Sequence, residues 1–257
     1  MIPGIGFQKR GEVMPGIMAF VLIVTYNVLV IVSGRKELEY LTKEDGIVEN
    51  AAVVCYLIAS FVMFSMLRFR PAEPPGKRGF FDERQNLVYL LIGLLLIVFA
   101  GEEISWGQRI LNFDTPDTLT RINRQGETTL HNLNFWEALD PAGLEKHGIS
   151  RLYSSVALYN YVWFALFLVI PSLSKLWPVA ASFFNNAGIP VIKALYGFLF
   201  LTNFILFELL EATNIELRPI GEIKETNFAL LYLAACISIK YNRFYLTLAK
   251  NSQPVNL

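Results

Sequence analysis

Charged residues, cysteine and histidine are scarce in this chain. Asp, Glu, Lys and Arg make up 17% of the 257 residues, whereas soluble globular proteins carry about 25%. Hydrophobic residues make up 54% of the chain. This composition excludes a soluble enzyme, a nucleic-acid-binding domain and a disordered tail.

The few cysteines and histidines limit the sites that can be built. Cys55 and Cys236 both lie inside apolar runs, so neither is placed for a solvent-accessible disulfide. Because no cysteine stands near His131 or His147, a structural zinc site is not expected. A glycine-rich phosphate loop, a nucleophile elbow, a haem motif and a quinone signature are also lacking. No motif in the sequence therefore identifies a cofactor.

Six uncharged runs hold most of the hydrophobic residues, at positions 17–32, 51–67, 87–101, 152–174, 194–207 and 226–239. Extended by flanking polar residues to about 20 each, every run can cross a hydrocarbon core about 30 Å thick. We therefore predict an all-α polytopic membrane bundle of about six helices, with residues 1–257 forming a single integral membrane domain. The first run has no small-residue cleavage site behind it, so we expect it to be a retained span. Gly107 predicts that the third helix ends at Trp106.

The formal net charge of zero hides an asymmetry across the membrane. Six crossings place residues 1–16, 68–86, 172–193 and 240–257 on one side, where 12 basic and 4 acidic residues give a net charge of +8. The other side takes 10 basic and 18 acidic residues, a net charge of −8. Because short cytoplasmic loops are enriched in Lys and Arg, we expect both termini in the cytoplasm. We expect a multi-pass protein of a cell membrane, such as the inner membrane of a bacterium. Residues 107–149 then form one long extracytoplasmic loop, which is periplasmic in a bacterium or extracellular in a cell with one membrane.

Carboxylates near the outer ends of the spans are the first candidates for chemistry, since ionisable side chains in lipid are costly. Glu102 and Glu103 directly follow the third run, and Glu208 and Glu211 follow the fifth. At a helix C-terminus a carboxylate meets the negative end of the helix dipole, so these groups need a cation, a metal ion or a raised pKa. A structural lattice of ion pairs remains an alternative, with partners among Arg109, Arg121, Arg124 and Arg218.

Three further acids fall at the beginnings of spans on the same side of the membrane. They are Glu49, Glu222 and Glu225. Acids in the first turn stabilise a helix N-terminus, so we interpret these three as helix-start residues rather than as members of a site.

His131 lies in the long outer loop, four residues after Glu127. A histidine beside carboxylates can bind a divalent metal ion or take part in a general acid–base step, whereas His147 is expected to lie in a solvated turn. We predict that the catalytic residues are Glu102, Glu103, His131, Glu208 and Glu211. We predict a divalent metal ion on Glu102, Glu103, His131 and Glu208. The predicted substrate-binding residues are Trp106, Gln108, Arg109, Asn132 and Asn203, with Arg109 on a phosphate or carboxylate.

Two motifs in this region resemble a signature of a group of uncharacterised bacterial multi-pass membrane proteins. They are EEISWGQR at residues 102–109 and QGETTLHN at residues 125–132, with residues 222–230 as a weaker third block. This resemblance implies a membrane location and no particular activity. The glutamate pair and His131 also resemble CAAX-protease-like intramembrane proteins, which implies a glutamate-activated protease mechanism. In this chain, however, Arg109 follows Glu103 by six positions rather than four, and no second histidine lies in a span.

Three functions are compatible with these features. The leading hypothesis is a membrane-embedded hydrolase or transferase with a site at the outer leaflet and a lipid or lipid-linked substrate. The second is a non-catalytic accessory subunit of a larger membrane complex, docking through Trp106, Trp136 and the loop. The third is a small transporter with Asn27, Asn160 and Asn203 along a polar path. Expected partners are membrane lipids and either other subunits or further copies of the chain, and not nucleic acid.

Overall fold

The computed structural model describes residues 4–32, 35–43, 46–67, 80–136, 152–211 and 218–251. The helices in these ranges are α1 (Gly4–Val32), α2 (Arg35–Leu41), α3 (Ile47–Leu67), α4 (Phe80–Glu103), α5 (Gln108–Leu111), α6 (Asp117–Ile122), α7 (Ser155–Leu176), α8 (Pro178–Asn186), α9 (Ala194–Glu211) and α10 (Arg218–Asn251). Within the described ranges there is no β-strand, only an isolated antiparallel bridge between Asn123 and Leu133. The prediction of an all-α architecture is confirmed.

Three helices are long and apolar enough to cross a membrane. They are Ile47–Leu67, Arg84–Glu103 and Ser155–Leu176, which lie in α3, α4 and α7. Val13–Thr25 and Ala194–Leu210 are apolar helices of shorter length, and the sixth apolar run lies within α10. Length and composition therefore make the chain compatible with a membrane protein. α4 ends at Glu103, so the expected end at Trp106 was wrong by three residues.

The long helix α10 lies at the centre of the described helices and packs against α1, α3 and α9, while α3 also packs against α4. Aromatic rings fill the contact between α7, α9 and α10. The ring centroids of Phe167 and Phe200 are 4.0 Å apart, and those of Phe200 and Phe228 are 5.4 Å apart. Trp163 stacks on both Phe200 and Phe228 and is fully buried. Burial of such large rings is a major stabilising contribution.

An asparagine network ties three helices together. The Asn227 side-chain amide in α10 donates to Asn203 in α9 at 3.0 Å and to Asn27 in α1 at 3.3 Å. Amide side chains commonly form such interhelical hydrogen bonds in membrane bundles, where a model pair contributes about 1 kcal/mol. Two of the asparagines considered for a polar transport path are therefore engaged in helix packing.

Gly197 lets α9 approach α7 closely. A Cβ atom added at Gly197 would overlap the main-chain carbonyl oxygen of Phe167, and backbone cannot swing away as a side chain can. We expect Gly197→Ala to lower the free energy of unfolding by about 1–3 kcal/mol through overpacking. Thermal unfolding in detergent, followed by circular dichroism, measures this change.

Gly221 supplies the matched control, because a Cβ added there meets nothing within 4 Å. Gly221→Ala should be neutral or should stabilise α10 by up to about 1 kcal/mol, since alanine is the better helix former. Equal unfolding temperatures for the two variants would contradict the close approach at Gly197.

Candidate active site

A left-handed turn that begins two residues after the end of α4 shapes the site. Ser105, Trp106 and Gly107 have consecutive positive φ angles of 48°, 53° and 79°. This conformation costs about 1–2 kcal/mol for a residue with a side chain, so other contacts must hold Ser105 and Trp106 in place. The turn folds the Trp106 ring back against Gly101. Backbone strain of this kind clusters at functional sites.

Glu102, the residue before the end of α4, connects this turn to the second motif. Its carboxylate accepts hydrogen bonds from Trp106 Nε1 (2.6 Å) and from the main-chain N–H groups of Leu130 (2.7 Å) and His131 (2.8 Å). A fourth bond joins it to His131 Nδ1 at 2.9 Å. Glu102 therefore fixes both the backbone and the ring of His131.

His131 is oriented like a general base. Because an ionised carboxylate can only accept hydrogen bonds, the His131 nitrogen that faces Glu102, Nδ1, must carry the hydrogen. The other ring nitrogen, Nε2, is then available to water or substrate. Burial lowers the pKa of His131. The hydrogen bond to Glu102 and the charges of Glu102, Glu225 and Glu127 outweigh burial, so the pKa is raised above its ordinary value. The raised pKa makes the ring a stronger base.

Arg109 joins the loop to the start of α3. Its Nη1 donates to Glu127 at 2.9 Å and its Nη2 to Glu49 at 3.1 Å. The other oxygen of Glu127 accepts from Ser105 Oγ at 2.8 Å. The Arg109, Glu49 and Glu127 side chains are 24%, 11% and 21% exposed, so this ion-pair triad is mostly removed from solvent.

Side-chain amides complete the fold of residues 105–136, which we call the loop cap. Gln108 donates to Thr115 Oγ1 at 2.7 Å and accepts from the main-chain N–H of Thr128 at 2.8 Å. Asn132 is buried and donates to Gln125 at 2.6 Å. The two sequence motifs are thus the two halves of one folded unit, held together through their polar side chains.

Three carboxylates form a group at the same end of the bundle. Oxygen atoms of Glu103, Glu222 and Glu225 all lie within 4.8 Å of one another. Glu222 and Glu225 are three residues apart on α10 and so share a helix face. Thr226 Oγ1 donates to the Val48 carbonyl at 3.0 Å and fixes this part of α10 to α3. Like charges at this separation repel, so the group favours a bound cation or shared protons.

A cavity of about 400 Å³ opens beside these residues. Its polar lining consists of Glu102, Glu103, His131, Ser155, Glu225 and two tyrosines. The hydroxyl oxygens of Tyr56 and Tyr159 are 2.8 Å apart in a hydrogen bond. The remaining walls are aliphatic or aromatic. An apolar cavity with a few convergent polar groups is typical of a small-molecule or cofactor site.

The structure brings some of the predicted site residues together and places others elsewhere. Glu102, Glu103 and His131 meet at the cavity. Glu208 instead accepts from Lys224 Nζ at 2.8 Å and lies outside the three-carboxylate group. Asn203 belongs to the asparagine network. The Glu211 side chain and the whole of His147 lie outside the described residues.

The other predicted substrate-binding residues all take part in the loop cap. They are Trp106, Gln108, Arg109 and Asn132. Tyr56 and Tyr159 were not predicted as site residues, because aromatic residues inside apolar runs are ordinary packing residues. The spacing of Glu222 and Glu225 on one helix face was the signal that could have added them to the site.

Comparison of the chain with protein-family models, with curated proteins and with solved structures gave no match. The function of this protein must therefore be inferred from the chemistry of the cavity and its side chains.

Proposed function

We propose that this protein is an integral membrane hydrolase or transferase that acts on a lipid or lipid-linked substrate in the 400 Å³ cavity. The observation that carries the proposal is the pairing of Glu102 with His131 at the edge of this cavity. We further propose that the carboxylates of Glu103, Glu222 and Glu225 bind a divalent cation there.

The Glu102–His131 pair provides a base and the group that orients it. With Nδ1 held, the His131 Nε2 atom can take a proton from water in a hydrolase or from a substrate hydroxyl in a transferase. A positioned base of this kind contributes about 10²–10⁴-fold to a rate. Orientation of the base by a carboxylate follows the logic of catalytic triads, although water or a hydroxyl serves as the nucleophile here.

The position of the cavity supports an amphipathic substrate. Its lining residues come from α3, α4, α7 and α10 together with the loop cap, and the first three of these helices are candidate spans. Glu103 is the last residue of its span and Ser155 the first of another. This depth corresponds to the boundary between acyl chains and headgroups, where the reacting bond of a lipid lies.

The charge of the site supports a role for a cation. Arg109 is engaged by Glu49 and Glu127 and does not line the cavity. The ionisable groups that line it, apart from two tyrosines, are the carboxylates of Glu102, Glu103 and Glu225 and the imidazole of His131. An anionic headgroup would be repelled unless a cation came with it, and divalent ions such as Mg²⁺ and Mn²⁺ prefer carboxylate oxygens. A bound ion would supply charge stabilisation to a carbonyl or phosphoryl oxygen.

A lipid profile of cells tests the proposal and does not require the substrate to be identified first. Cells lacking the protein should accumulate one lipid or lipid-linked species, which the wild type and His147→Ala remove and His131→Ala does not. His147→Ala is the matched control, because it removes the chain's other histidine. Identical lipid profiles in all four strains would overturn an enzymatic role.

Substitution of Glu103 tests the proposed cation. We expect Glu103→Gln to weaken Mn²⁺ binding to purified protein by about tenfold or more, since even residues behind a metal ligand are worth about 10–100-fold in affinity. Isothermal titration calorimetry measures this affinity. Glu208→Gln is the control, because Glu208 pairs with Lys224 outside the group, and equal Mn²⁺ affinity in the two variants would contradict the assignment.

The second candidate function is that of an accessory subunit. Ile110 and Leu111 of the loop cap are 70% and 73% exposed, and such side chains favour a protein or membrane contact. Purification in mild detergent distinguishes the two functions. A stoichiometric partner that is lost in Ile110→Ser/Leu111→Ser, together with an unchanged lipid profile, would favour the subunit.

A further inference from the structure

A second cavity lies at the opposite end of the bundle. Its volume is about 200 Å³, and its lining is formed by Met66 of α3 and by Ile237, Lys240, Tyr241, Arg243 and Phe244 of α10. Met66 and Glu49 are 17 positions apart on α3, which at a rise of 1.5 Å per residue corresponds to about 25 Å. This cavity is therefore separated from the candidate active site by most of the length of a candidate span.

The second cavity lies where two candidate spans, in α3 and α4, have their ends. Met66 is the last residue but one of the span Ile47–Leu67. Arg243 contacts α4 near the first residues of its span, where its guanidinium carbon lies 4.9 Å from the centre of the Tyr89 ring. In a membrane these residues would lie at the level of the lipid headgroups.

The chemistry of the cavity combines apolar walls with positive charge. Met66, Ile237 and Phe244 provide the apolar surface, and Lys240 and Arg243 provide two cations. No carboxylate lines the cavity within the described part of the chain. The Tyr89 ring restrains Arg243 through a cation–π contact, so one of the two cations is already held in position.

We propose that this cavity binds an acidic phospholipid. Its phosphate lies between Lys240 and Arg243, and the first part of an acyl chain lies along Met66, Ile237 and Phe244. Basic pockets between membrane helices bind acidic headgroups in this way, and each Lys or Arg near the surface contributes about 1 kcal/mol. The proposal is independent of the reaction at the other end of the bundle, because the two cavities share no residue.

Native mass spectrometry of the purified full chain tests this site, with phosphatidylglycerol and phosphatidylcholine as the two probes. We expect the wild type to prefer phosphatidylglycerol by about tenfold or more, and Lys240→Gln/Arg243→Gln to lose that preference. Arg121→Gln/Lys175→Gln removes the same number of positive charges from exposed positions and should keep it. Lys240→Arg retains the charge and should also keep it, which separates a binding role from a general effect on folding.

Two outcomes would overturn the proposal. The first is an equal preference for phosphatidylglycerol in the wild type and in Lys240→Gln/Arg243→Gln. The second is full displacement of phosphatidylglycerol by millimolar inorganic phosphate, which would show that the two cations bind a free anion and that the apolar walls contribute nothing.

Discussion

His131→Ala is expected to lower the turnover of the proposed lipid or lipid-linked substrate by about 10²–10⁴-fold, the usual contribution of a positioned general base. The reason is that His131 has one ring nitrogen fixed by Glu102 at 2.9 Å and lines the cavity. Initial rates with protein in lipid nanodiscs measure the effect. His147→Ala should retain the wild-type rate, and a similar loss in both variants would contradict a specific role for His131.

The same pair should control the pH dependence of the reaction. The ring accepts a proton only when it is neutral, so the wild-type rate should rise as the pH increases through the raised pKa of His131, above the ordinary value of about 6.5. Burial lowers this pKa, and Glu102→Gln removes the charge of Glu102, which is the largest of the charges that raise it, leaving only those of Glu225 and Glu127 to oppose burial. The rising limb of the pH–rate profile should therefore move to lower pH, and the maximum rate should fall. A limb that does not move would exclude a catalytic role for the Glu102–His131 pair.

The pair also links pH to stability, with a defined sign. Because the pKa of His131 is raised in the folded protein, the protonated ring stabilises the fold fully below the unfolded pKa of about 6.5. This contribution is lost as the pH rises through the raised folded value. The neutral form of the ring, which the proposed reaction requires, is thus the form that holds the loop cap less strongly. In a His147→Ala background His131 is the only histidine, so NMR can follow its titration directly.

Hydrophobic runs predicted the helices well because a long apolar segment satisfies its backbone polar groups in a membrane by forming a helix. They did not predict the partners of the charged residues. The first motif suggests a substrate for Arg109, yet this residue contacts Glu49, which is 60 positions away, and Glu127. That contact depends on the left-handed turn, in which Gly107 is a recognisable signal but Ser105 and Trp106 are not.

The location of the acidic residues was predicted better than their roles. Glu103, Glu222 and Glu225 were all expected at the outer ends of spans and therefore at the same membrane level. The structure brings their carboxylate oxygens within 4.8 Å of one another. The role of each acidic residue depends on which nearby cation it pairs with, and the sequence alone does not show these pairs. Lys224 is one residue before Glu225 but pairs with Glu208, so a predicted member of the site takes part in an ion pair outside the three-carboxylate group.

Arg109→Ala should be the most destabilising single substitution in the loop cap. It removes the guanidinium that donates to both Glu49 and Glu127, whose side chains are only 11% and 21% exposed. Removing one partner of a buried ion pair costs about 3–5 kcal/mol, which corresponds to a decrease in Tm of about 6–20 °C for a chain of this size. Thermal unfolding in detergent measures it, with Arg121→Ala as the exposed control, expected within about 0.5 kcal/mol of the wild type.

The same variant separates a structural role for Arg109 from the substrate-binding role that its position in the first motif suggested. If Arg109 binds substrate, Arg109→Ala should raise KM and leave the Tm unchanged. If it holds the loop cap to α3, the Tm should fall, and the double variant Arg109→Ala/Glu127→Ala should be less destabilised than the sum of the two single variants. Because Glu127 also accepts from Ser105, the loss of this triad should loosen the strained turn, in which Trp106 donates to Glu102, the partner of His131. The rate should then fall together with the stability, and Arg109→Lys should restore both only in part, since an ammonium cannot reproduce the planar fork that reaches both carboxylates.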